Sequence, residues 1–141
     1  MGYTAPHSYH ISLGTLNASP LDSLTYFMGV PWDALNTTEY YTVFVPRTGI
    51  IREVVLSIWT AGAAGTAENT TFKLRKNGAD AATIYTGSIA GTTGAYTRLA
   101  SIDVNVSVAE NDYLTVSMVT PAWATNPTGV RVLVELMIDY A

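Results

Sequence analysis

Cysteine is absent from this chain of 141 residues, which excludes a disulfide framework, a thiolate metal site and a cysteine nucleophile together. Charge is scarce as well. Asp, Glu, Lys and Arg make up 13% of the residues, about half the share in an average soluble domain. Seven Lys and Arg stand against eleven Asp and Glu, a net charge of −4. That is the wrong balance for neutralising phosphates, so nucleic acid is not an expected partner. No apolar run approaches the roughly 18 residues that span a bilayer. The opening MGYTAPHSYH has no basic region leading into an apolar one, so neither a cleaved signal peptide nor a membrane partner is expected. The default compartment is the cytoplasm of the producing cell.

What the chain has instead is apolar mass on a weakly charged frame. Hydrophobic residues make up 48%, and the surface must be largely Thr, Ser, Asn, Gly and Ala. The length suits one domain. Helical periodicity is hard to find, whereas alternation with period two recurs between Gly, Pro and Asn clusters, which reads as an all-β chain. In residues 102–108, Ile102, Val104, Val106 and Val108 face one way and Asp103, Asn105 and Ser107 the other. Residues 114–118 repeat the pattern, and 130–140 place Val130 to Tyr140 on one face and a mixed set, Arg131 to Asp139, on the other. Further strands are expected at residues 40–45, 50–59, around Phe72 and Leu74, and at 82–85. Asn77-Gly78 is a strong hairpin signal. About eight short antiparallel strands suit a single jelly-roll sandwich or barrel.

Residues 1–23 read differently, as an extended arm ahead of a β domain at 24–141. Tyr3, His7, Tyr9, His10, Ile11, Leu13 and Leu16 are scattered there without an evident period. An arm this apolar is expected to lie on a neighbouring subunit or partner. Trp123, in the loop 121–127, is expected to be exposed and to make partner contact.

Other features carry weaker chemistry. His7 and His10 could share a metal, with Asp22 as the only nearby third ligand, but packing or solvent exposure accounts for them more simply. No metal or cofactor is expected. Glu110-Asn111-Asp112 reads as a turn whose side chains bond their own backbone. The Gly-rich stretches 61–66 and 87–94 lack a phosphate loop's lysine and following helix, and read as surface loops. The stretch TFKLRKNGAD, 71–80, gathers three of the seven basic residues. With Phe72 and Leu74 inward, Lys73 and Arg75 share the outer face, opposed by Glu68 and Asp80. Salt bridges between subunits are their expected role.

The order Phe44-Val45-Pro46-x-x-Gly49-Ile50, a strand ending at Trp59, Phe72-Lys73-Leu74-Arg75-Lys76-Asn77-Gly78, and then 106–116 resembles small jelly-roll domains of tailed-bacteriophage virion proteins. Capsid decoration proteins, head fibres and fibre tips are among these, similar in layout to the trimeric tumour-necrosis-factor/C1q-like fold. The resemblance covers about residues 40–140. It implies a homotrimer without catalysis, located in the virion and attached through its N-terminal arm to the major capsid protein or a neighbouring virion protein. The alternative is a receptor- or carbohydrate-binding fibre tip using Trp123 and Tyr96. A hydrolase using His7 or Asp112 is a third, remoter reading.

Overall fold

A computed structural model describes residues 7–62 and 68–140. Among the described residues there are nine strands: β1 His7–Ala18, β2 Thr25–Met28, β3 Val43–Phe44, β4 Gly49–Trp59, β5 Thr70–Lys76, β6 Ala79–Gly87, β7 Thr97–Val108, β8 Tyr113–Val119 and β9 Val130–Tyr140. A single 3₁₀ turn, Ala90–Thr92, lies between β6 and β7. The first sheet runs β1-β9-β4-β7 and the second β2-β8-β5-β6, with β3 also pairing β8. All pairings between these strands are antiparallel. Apart from β2–β3 and the β5–β6 hairpin, each consecutive strand lies in the opposite sheet, which is the winding of a jelly roll. The two sheets form a sandwich, not a closed barrel.

The alternation in the sequence builds the core directly. Val130, Val132, Val134, Leu136 and Ile138 of β9 are buried between β1 and β4, and Val54, Leu56 and Ile58 of β4 join them. Phe72, Leu74, Leu114, Val116 and Met118 close the core from the second sheet, each with no exposed surface. Side chains projecting from two facing sheets fill the space between them. The β5–β6 hairpin turns at Asn77 (φ 52°) and Gly78 (φ 80°), as its sequence requires.

Five expectations are corrected. Residues 7–18 are a strand of the chain's own sandwich and not an arm: Ile11 pairs Leu136 and Leu13 pairs Val134. The period is present after all. Ile11, Leu13 and Thr15 are all buried, but His10, Leu16 and Leu21 obscure this stripe of alternate residues because they lie outside it. Trp123 is buried at 5% exposure, its backbone N–H donating to Asp22 Oδ1 at 3.2 Å. A proline-flanked loop reads as exposed, yet this one turns Trp123 inward and also buries Pro127. The stretch 87–94 is not simply a surface loop, since Ile89 and Thr92 are core residues and Thr60 N–H donates to the Thr92 carbonyl. Finally, β7 begins at Thr97 rather than 102, and the expected strand 40–45 shrinks to Val43–Phe44. Tyr3 and most of the stretch 61–66 lie outside the described residues.

Candidate functional site

The outer face of the first sheet ends in a group of aromatic and basic side chains. Trp59, the last residue of β4, lies opposite Arg131 of β9. Residues directly opposite on antiparallel strands share a face. The Arg131 guanidinium therefore sits over the indole, 4.6 Å from the ring centroid, a cation–π contact. Tyr96, just before β7, tilts against Trp59 at 6.2 Å, and Arg131 Nη1 donates to its hydroxyl at 3.4 Å. Beside this group opens a cleft of about 150 Å³ lined mostly by apolar atoms, among them those of Leu16, Pro31, Tyr96, Val132 and Leu133. Leu16 is 55% exposed and Tyr96 67%. Trp32, next to Pro31 in the chain, is 71% exposed.

The basic stretch on β5 is satisfied within the chain. Arg75 Nε donates to Glu39 Oε2 at 2.7 Å and Nη2 to Oε1 at 3.1 Å, a two-point grip on the carboxylate. Its remaining N–H groups reach Asp80 and the Gly78 carbonyl. Lys73 Nζ bonds Asp80 Oδ2 at 3.2 Å. The side chains of Arg75 and Glu39 are only 17% and 12% exposed, and Thr115 also donates to Glu39. Burial by itself would raise the Glu39 pKa, but the hydrogen bonds from Arg75 and Thr115 outweigh it and the pKa is lowered. Asp80 is lowered chiefly by the Arg75 hydrogen bond. Arg75 thus binds the loop before β3 to its own sheet, and Lys73 braces the β5–β6 hairpin through Asp80, both within one chain. Glu68, the other acid expected to oppose them, instead accepts the Ala124 N–H.

The β1 residues expected to contact a partner divide between two faces. Ile11 and Leu13 point into the core. His7, Tyr9, His10 and Leu16 keep surface, and three of these have partners within the chain. His7 stacks on Tyr140 at 5.5 Å, Tyr9 Oη donates to the Arg47 carbonyl at 2.6 Å, and His10 Nε2 lies 3.2 Å from Glu135 Oε2. Among the described residues no three of His, Asp and Glu gather closely enough to share a metal ion. Asp112 holds the turn before β8. Its carboxylate accepts the Ala109 N–H at 2.8 Å and the Asn77 amide at 2.9 Å, and these bonds lower its pKa. Asn77 Oδ1 in turn accepts the Tyr113 N–H at 2.8 Å, which links the two turns. This places Asp112 in a structural role.

Of the residues proposed for contact, the fold leaves Leu16 beside Tyr96 at one cleft and removes Trp123 from the surface. Arg131 and Leu133 were not singled out by sequence. Their signal was the alternation over 130–140, which already put Arg131 and Leu133 on the outer face. Glu39 gave no signal, because its partner Arg75 is 36 residues away. The arrangement at the end of the first sheet suits recognition through stacking and ion pairing. Comparison with protein-family models and with curated proteins yields no match.

Proposed function

We propose that the chain is a structural virion protein of a bacteriophage, decorating or stabilising the capsid or forming a head fibre as a homotrimer. The strand order carries the reading, since a jelly-roll sandwich is the architecture that the sequence resemblance implies. One fold hosts many functions, so the surface has to support the reading too. It does so through large apolar side chains left in solvent, Leu16, Trp32, Tyr40, Tyr41, Phe44 and Tyr96, on a chain with few charges. Such surface is stabilised by contact with other protein. Because His7–Ala18 is held in the sandwich, attachment to the major capsid protein or a neighbouring virion protein falls to these exposed side chains.

The test is to add purified protein to particles of the encoding phage assembled without it. Saturable binding at a fixed ratio to capsid subunits supports the reading. Particles that bind none of it overturn the reading. A receptor- or glycan-binding tip is the second reading, favoured by exposed Tyr96 beside Trp59. It predicts a glycan-array signal that Tyr96→Ala abolishes.

A further inference from the structure

Among the described residues Arg131 is a cation without an acidic partner. The ion pairs among the described residues use His10, Arg52, Lys73 and Arg75, while Arg131 contacts only the Trp59 ring and the Tyr96 hydroxyl. Arg98 of β7 is likewise in no ion pair among the described residues, and it lies opposite Ser57. Ser57 and Trp59 are two residues apart on β4 and share a face. Two uncompensated guanidinium groups therefore stand at one end of one sheet face, in a chain of net charge −4. The Trp59 ring fixes the plane of Arg131 and leaves N–H groups at its edge for a carboxylate.

The adjoining cleft narrows the ligand. Its walls at Leu16, Pro31, Leu133 and Tyr96 are mostly apolar, which disfavours a hydrated ion or a polyhydroxylated ring and favours an apolar body beside the anion. Pairing of β1 with β9 shifts register between Thr15 and Ala18. Leu16 lies in the cleft on β1, an edge strand of its sheet, and the outer backbone groups of such a strand can exchange hydrogen bonds with another chain. We propose that this cleft docks a large apolar side chain of a partner polypeptide that lies directly beside a carboxylate, with Arg131 taking the carboxylate and Leu16, Leu133 and Tyr96 the apolar group. The proposal requires the cleft alone and stands whether or not the protein is a virion component.

Amide NMR titration of the full chain with N-acetyl-alanyl-phenylalanine as the free acid tests it. The expected result is saturable shifts at Leu16, Arg131 and Leu133, with the carboxamide of the same peptide binding roughly tenfold more weakly, the loss of one charge-assisted hydrogen bond. Arg131→Gln brings the acid down to the carboxamide's affinity, and Tyr96→Ala weakens both peptides while preserving that difference. Equal binding of acid and carboxamide overturns the proposal, as do shifts elsewhere or none. So does tighter binding of glucuronate than of the peptide, which would make the site one for acidic sugars.

Discussion

Arg75 holds together the largest ionic group on the second sheet. Replacing it with Ala leaves the Glu39 carboxylate, 12% exposed, without its main counter-charge. We expect Arg75→Ala to cost about 1–3 kcal/mol of stability, read as a lower urea midpoint. Glu39, Asp80 and Asp112 all titrate below their ordinary range in the folded protein. A carboxylate with a lowered folded pKa adds stability above its unfolded pKa of about 4, and this is lost as pH falls through the lower folded value. The urea midpoint is therefore expected to drop on acidification below about pH 4, and Glu39→Gln to make that acid limb shallower. An unchanged limb would show that Glu39 is not held as described. The outward direction of Lys73 and Arg75 and the acid at Asp80 were legible in the sequence, because alternation and the Asn77-Gly78 turn fix them locally. Glu39 was not, since a contact across 36 residues depends on how the loop before β3 crosses the sheet.

Among the elements, β9 was read to the residue at Val130–Tyr140, because its alternation is long and bounded by Gly129. Strand β1 was missed for a physical reason: it is an edge strand, and apolar residues outside its buried stripe hide the period. Its place in the core is testable. Leu13 has no exposed surface, so Leu13→Ala should cost about 2–5 kcal/mol through lost burial and the cavity left behind. An arm lying on a neighbour would give no such loss in the dissociated protein, so a urea midpoint within error of wild type would contradict β1. Gly14 gives a second check. A Cβ there would fall on the Val132 carbonyl of β9, and since backbone cannot swing aside, Gly14→Ala should also destabilise, by about 1–3 kcal/mol. Trp123 shows the opposite error. Its loop carries the composition of an exposed turn, but a large indole gains more from burial than the loop does from solvent.

At the scale of the molecule, the sandwich has enough core to fold as one unit, and its unusual property is the surface left over. Trp32 and Tyr96, with Leu16, Tyr40, Tyr41 and Phe44, leave a weakly charged protein with adhesive patches. Two sets of these are already organised. Tyr113 stacks on Tyr41 and meets Phe44 of β3 edge to face, both at 4.7 Å, and Trp59, Tyr96 and Arg131 cluster at the end of the first sheet. Aromatic groups held rigid before contact lose little entropy on binding, which favours assembly. Self-association is the core of the functional account, and the mass of the full chain in solution tests it most directly. Sedimentation equilibrium is predicted to return three times the chain mass of 15.1 kDa, unchanged on dilution through the micromolar range. A species of 15.1 kDa at every concentration would contradict it.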